Sequence, residues 1–225
     1  MALDRYANIS KAKLIFLSET KTESEIQLSN YYCLLKPKAT NPRRSGGVAL
    51  LHHSSLTVDR LPILEAPEVD AIFAILKIGN KRVMACAVYC PPNSPKTLDE
   101  TLKCISKANS NLSKYKCQAL LIVGDLNARY QAWNDKSSNR AGEKLLDFIS
   151  SEQLHVVSCL KQDTFLCDGG GSHIDLTLVS SSLVAKVENQ TADSEVELFT
   201  GAPYRGHIPI WTTFSTHSPE EVPRY

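Results

Sequence analysis

"LLIVGDLNARYQAW", residues 120–133, passes from an unbroken apolar run into polar side chains within a few positions. A short apolar run rich in branched residues reads as a strand buried on both faces. Gly124 at its end frees the backbone to turn, and alternation along an extended chain points Asp125 and Asn127 the same way. Asp and Asn are also ordinary turn residues, so the stretch taken alone is equally a strand running into a plain loop. The rest of the chain decides between the two.

Outward from this run, strand-like segments recur at 14–18, 31–35, 47–53, 70–78, 82–89, 119–125, 154–158, 174–179 and 208–214. Fewer segments carry a helical period. Residues 97–115 space Leu98, Leu102, Ile105 and Leu112 along one face, with Pro95 just before. Residues 141–154 gather Leu145, Leu146, Phe148 and Ile149 into an apolar stripe. Many strands with a few helices between them predict an α/β fold, a four-layer sandwich of two packed mixed β-sheets flanked by helices. Such layering places functional groups at strand ends, where loops converge on one rim.

The 225 residues, 43% hydrophobic and 22% charged, suit one large domain that can bury its own core. No linker-like composition divides them. Lys plus Arg is 25 against 24 for Asp plus Glu, so nucleic-acid binding would have to rest on a local basic patch. "KPKATNPRR", with Lys36, Lys38, Arg43 and Arg44 among loop-forming residues, is one candidate, and a merely solvated loop is the other reading. Seven scattered cysteines without a CxxC pair point to a reducing compartment and no structural zinc. No apolar run approaches the length of a membrane span, and no signal-peptide pattern opens the chain, so no membrane partner is expected.

Polar groups follow or interrupt the apolar runs. Glu19 comes directly after a strand, Tyr89 precedes Pro91-Pro92's stiff turn by one cysteine, Asp125 and Asn127 end the quoted run, Asp175 opens a strand after a glycine loop, and His207 precedes the last strand. Singly, each has a bland reading: a surface acid, a packed turn, a satisfied half-buried histidine. Asp175 in an apolar strand is the hardest to dismiss, because a buried carboxylate must find a partner. Together they fit one chemistry. Carboxylates at a rim hold a hard cation such as Mg²⁺. A histidine backed by an aspartate is stabilised as imidazolium. An amide beside a carboxylate orients a water for deprotonation. The set suits phosphodiester hydrolysis.

"FLSET", "VYCPP", "VGDLNA", "SHIDLTLV" and "GHIPIW", in this order, resemble the endonuclease/exonuclease/phosphatase superfamily over nearly the whole chain. "GDLNARYQAW" followed by "NRAGEKLLDFISSEQLHVVS" looks like the apurinic-type endonuclease domain of non-LTR (LINE-like) retrotransposons. The resemblance implies Glu19 as the ligand of Mg²⁺, or of Mn²⁺ in its place. It implies Asp125 as the base, Asn127 as its positioning partner, and Tyr89 as a contact to the scissile phosphate. Asp175 would orient His207, His207 would stabilise the transition state, and Ser172 would add a hydrogen bond.

The implied partner is double-stranded DNA, gripped through phosphates by Arg43, Arg44 and Arg129. Trp133, in the segment 129–140, reads either as part of a DNA-contact loop or as core packing. The implied domain is 1–215, with 216–225 as the start of a linker to a reverse transcriptase in a larger polyprotein acting in the nucleus. Two departures mark the chain. The family's first strand, which carries an Asn, is absent before Leu14, and Asn8 lies too near Glu19 to replace it. Gly206 stands where the family has an Asp before the histidine. The alternative is therefore a degenerate, non-catalytic relic that only binds nucleic acid, and a phosphatase acting on small phosphoesters is a third reading.

Overall fold

The apolar run ending at Gly124 is an inner strand of a six-stranded sheet, and the elements before it in the chain explain its place. A computed structural model describes residues 2–38, 46–157, 162–193 and 206–216. Helix α1 (Ala2–Ser10) is followed by strands β1 (Leu14–Ser18), β2 (Tyr31–Lys36), β3 (Val48–His53), β4 (Asp59–Arg60), β5 (Asp70–Ile78) and β6 (Lys81–Tyr89). Then come α2 (Pro95–Ser110), β7 (Ala119–Asp125), α3 (Arg140–Ser151), β8 (Leu154–Val156), β9 (Phe165–Cys167) and β10 (Gly170–Ser172). The chain continues through β11 (Asp175–Ser180), α4 (Ser181–Val184), β12 (Val187–Ala192), β13 (Gly206–His207) and β14 (Ile210–Phe214).

The large sheet has the order β4-β5-β6-β7-β11-β8. It is mixed: β6 and β7 run parallel, and their neighbours pair antiparallel. A parallel pair needs a crossover, and α2 supplies it. Leu120 and Ile122 of β7 face a core shared with Leu98, Leu102 and Ile105 of α2 and Leu145 and Ile149 of α3. Ala119 and Leu121 face the opposite core with Val83 and Val179. Burial on both faces is why this strand reads as an unbroken apolar run.

The facing layer is built from β1-β3-β2 and, separately, β12-β14. The expected second mixed sheet is thus two purely antiparallel pieces among the described residues. Phe16 of β1 and Phe214 of β14 pack on the same core, yet each lies on an outer strand of its own piece. Every residue of β1 is half-exposed, whereas Val48 to Leu51 of β3 are fully buried. Leu50 points between the sheets. Ala49 and Leu51 point away from them and are equally buried, on the face where the Tyr31 hydroxyl donates to the Ala7 carbonyl of α1. Helices therefore close both outer faces of an α/β sandwich.

The helix boundaries shift for local reasons. Pro95 opens α2 rather than preceding it, because the first turn has no use for its missing N–H. The helix ends at Ser110, short of the expected 115, and turns follow to Lys116, which takes a left-handed φ of 55°. α3 starts at Arg140 because the Asn139 side chain accepts the Gly142 N–H as an N-cap. Cys86, Cys90, Cys104 and Cys117 are free and buried, and burial pushes the Cys86 thiol well up. Among the described residues no helix is long and apolar enough to cross a membrane.

For Trp133 the structure decides between contact loop and core. Instead of facing DNA from its loop, it is fully buried under α3, with Nε1 donating to the Ala128 carbonyl at 3.1 Å and its ring 5.3 Å from that of Tyr130. Trp133→Ala is expected to cost about 3–5 kcal/mol in denaturant unfolding, the range for a large core aromatic. An unchanged unfolding midpoint with weakened DNA binding would return Trp133 to the surface role.

Candidate active site

The rim is organised by one row of cross-strand neighbours. Tyr89 of β6 sits opposite Asp125 of β7, and Asp125 opposite Asp175 of β11. Facing them, Ser18 at the end of β1 bridges the two layers. Its hydroxyl donates to the Val88 carbonyl and accepts the Asp125 N–H, both at 3.2 Å. The next residue, Glu19, takes a φ of 52° and turns its carboxylate onto this row. Glu19 accepts the Tyr89 hydroxyl proton and pairs with Lys21 at 3.0 Å. Tyr89 is itself fully buried, so its hydroxyl reaches the rim by way of Glu19.

Asp125 and Asn127 are joined more tightly than alternation would join them. Asn127 takes a left-handed φ of 48°. Its N–H donates to Asp125 Oδ1 at 2.9 Å, and its Nδ2 donates to Asp125 Oδ2 at 2.9 Å and to the Cys90 carbonyl at 3.0 Å. This is the turn in which an Asp side chain caps the backbone two residues on. The loop reading and the site reading describe the same geometry. Gly124, in turn, does not bend the chain: β7 continues through it to Asp125.

His207 arrives through two residues of β13 paired with β9, where it lies opposite Phe165 with ring centroids 4.9 Å apart. Nδ1 stands 2.9 Å from both oxygens of Asp175, and Nε2 is 3.9 Å from Asp125 Oδ2. A carboxylate only accepts, so Nδ1 carries the proton and Nε2 faces Asp125. Burial pulls the imidazole down, but the hydrogen bond and charge of Asp175, with Asp125 and Glu19 behind, outweigh it and raise His207 above its ordinary value. Asp125 is 2% exposed, and burial, then the negative charge of Asp175, push it up to about 7. The charge of His207 and the Asn127 N–H oppose that rise.

Ligand atoms of Asp125, Asp175 and His207 lie within 4.8 Å of one another, close enough to share a cation. Glu19, the ligand expected from the sequence, lies outside that trio and beside it, through Tyr89. Ser172 closes β10, buried, its carbonyl accepting the Thr164 N–H at 2.8 Å. Arg129 is turned onto the buried Asp135, Nε to Oδ1 at 3.0 Å. Lys36 donates to the Ala66 carbonyl at 2.6 Å. Arg43, Arg44 and the tail at 217–225 lie outside the described residues.

Several contributors carried no sequence signal. Ser18 looked like one more strand residue. Thr164, fully buried, accepts the N–H groups of Ile174 and Asp175 on its hydroxyl at 3.1 Å each, while its carbonyl accepts Ile208 N–H at 2.7 Å. It thereby ties the strand of Asp175 to the strand of His207. Gly206 takes φ +135°, a conformation side chains rarely adopt. Gly206→Asp is accordingly expected to lose about 1–3 kcal/mol of stability, measurable by urea unfolding, without any gain in phosphodiester cleavage. Faster cleavage in that variant would show that the backbone yields.

Two packed sheets flanked by helices, with carboxylates and a histidine at one rim, define a fold of the endonuclease class. Among solved structures, the chain is similar to the endonuclease domain of TRAS1, a telomere-specific non-LTR retrotransposon, at TM-score 0.74 and 16% identity, covering 95% of this chain and 90% of that one. The AP endonuclease LMAP from Leishmania major matches at TM-score 0.72 and 14% identity, over 95% and 81%. At such identities the likeness is one of fold. In sequence, a probable RNA-directed DNA polymerase from the transposon X-element of Drosophila melanogaster is 22% identical over 174 residues. That match takes in 76% of this chain and 18% of the relative, so the chain spans about a fifth of the relative's length. The family model described as endonuclease-reverse transcriptase matches residues 83–197. The chain belongs to that family.

Proposed function

We propose that this chain is a metal-dependent DNA endonuclease domain of a non-LTR retrotransposon, nicking double-stranded DNA to leave a 3′ hydroxyl that primes reverse transcription by another part of the same polyprotein. The observation that carries the reading is the Asp175–His207 pair aimed at Asp125, with Asn127 locked to the same carboxylate. Ionised Asp125 takes a proton from the attacking water as its oxygen bonds to phosphorus, and the 3′ oxygen leaves with the bonding electron pair and takes a proton from solvent to become the hydroxyl. Asn127 holds that carboxylate in register. His207, kept as imidazolium by Asp175, lies against the negative charge gathering on the phosphoryl oxygens.

The donors fit a hard cation. Glu19 and Asp125 would offer it oxygen ligands, and Asp125, pushed up to about 7 by burial and the charge of Asp175, is a carboxylate whose charged form a cation would stabilise. The chemistry that Mg²⁺, or Mn²⁺ in its place, would supply at these carboxylates is neutralisation of the charge that develops on phosphate oxygens. His207 is less suited as a ligand, because Asp175 favours its protonated form, and a protonated Nε2 has no lone pair to give a metal.

Supercoiled plasmid with Mg²⁺ tests the reading. Relaxed circles that a DNA polymerase can extend are expected, and chelator should abolish them. DNA binding without any nicking would instead favour the non-catalytic relic, and turnover of a small phosphoester alone would favour a phosphatase.

A further inference from the structure

Of the buried ionisable groups outside the proposed chemistry, Asp135 has the most organised surroundings. Its side chain is wholly buried, yet it lies in the irregular stretch between β7 and α3, where nothing apolar asks for a carboxylate. Oδ1 accepts Arg129 Nε at 3.0 Å and the Ser137 N–H at 3.0 Å. Oδ2 accepts Arg129 Nε at 3.2 Å and the His173 N–H at 2.8 Å. Arg129 is two residues beyond Asn127, and His173 is two residues before Asp175. One carboxylate thus fastens the segment leaving the Asp125–Asn127 turn to the segment entering the strand of Asp175.

We propose that Asp135 is a positioning residue for the active site, acting through Arg129 and the His173 backbone, and that Arg129 serves the site through this pair rather than by contacting DNA. The inference rests on the endonuclease reading above. Burying a carboxylate is costly unless its oxygens are filled, and here every partner belongs to a segment flanking the site. No strand pairing joins the 126–139 segment to residues 172–174, where the backbone link is a single Leu126 N–H to Ile174 carbonyl bond of 3.2 Å. The Asp135 clamp supplies the second link, further from β7.

The test compares Asp135→Asn, Arg129→Ala and Arg129→Lys in Mg²⁺-dependent nicking, with circular dichroism to verify folding. Asparagine keeps the shape but offers one acceptor oxygen, so part of the clamp opens. A carboxylate displaced by about an ångström costs on the order of a hundredfold in rate. Asp135→Asn and Arg129→Ala are expected to lose about that factor in kcat with KM unchanged, and Arg129→Lys to recover most of it.

If Arg129 instead grips phosphate, its alanine variant raises KM, leaves kcat alone and flattens the salt dependence of binding, which overturns the proposal. An undiminished kcat in a folded Asp135→Asn overturns it as well. Should Asp135→Asn not fold, the two Arg129 variants decide. Should the unaltered chain fail to nick DNA, the endonuclease reading fails, and the clamp is judged separately by hydrogen exchange in the Arg129 variants. Lost protection of the His173 amide in Arg129→Ala, restored in Arg129→Lys, upholds it, and equal protection in all three overturns it.

Discussion

Replacing Asp125 by asparagine is expected to slow nicking by about two to four orders of magnitude, the usual contribution of a positioned general base. The same change is expected to raise the melting temperature at pH 8. Both follow from one environment. Burial and the charge of Asp175 hold the carboxyl near 7 in the folded chain, against 3.8 for an ordinary aspartate. The folded state therefore binds this proton more tightly than the unfolded state does. Stability from that preference is fully present below 3.8 and is lost as pH rises through about 7. His207, also raised, contributes with the same sign.

In chelator, the unaltered protein should accordingly melt at a lower temperature at pH 8 than at pH 5.5, and Asp125→Asn should flatten that slope. Activity should run the other way, falling toward acid pH as Asp125 takes up its proton. A chelated wild-type protein whose melting temperature climbs from pH 5.5 to 8 would contradict the whole electrostatic account. The trade is a familiar one: the group whose neighbours destabilise its charged form is the group the chemistry needs ionised.

The parts of this arrangement differ in how far they can be read from sequence, for physical reasons. Strands buried on both faces announce themselves, so β5, β6, β7 and β11 were legible to within a residue or two. β12, whose residues are Val-Glu-Asn-Gln-Thr-Ala, was not, because among the described residues it pairs with β14 alone and it carries no apolar run. β9, β10 and β13, two or three residues each, are held by backbone pairing that leaves no pattern in side chains. Asp125, Asn127, Asp175 and His207 stood out as polar residues where apolar ones end. Ser18, Thr164 and Asp135 did not, since what they hold is backbone amide far away in sequence. Trp133 is open to either a contact loop or core packing in sequence, and only three-dimensional packing decides for the core.

Gly124→Ala is expected to damage the fold beside the site, costing about 3 kcal/mol or more in urea unfolding. An ideal Cβ at this position would lie 1.8 Å from the Val88 carbonyl oxygen and 2.8 Å from its carbon. Backbone, unlike a side-chain tip, has no alternative rotamer, so β6 and β7 would have to part. Val88 is also the carbonyl that receives the Ser18 hydroxyl, and the same hydroxyl receives the Asp125 N–H. Displacing Val88 thus loosens the Ser18 bridge holding Asp125 to β1 and, with it, the approach of Glu19. Nicking should fall with stability in Gly124→Ala even where the protein remains folded. Ser18→Ala isolates the bridge from the clash, losing about 1 kcal/mol for its hydrogen bonds and leaving the β6–β7 spacing intact. A Gly124→Ala protein as stable as the parent would mean that the glycine secures something other than close approach of these strands.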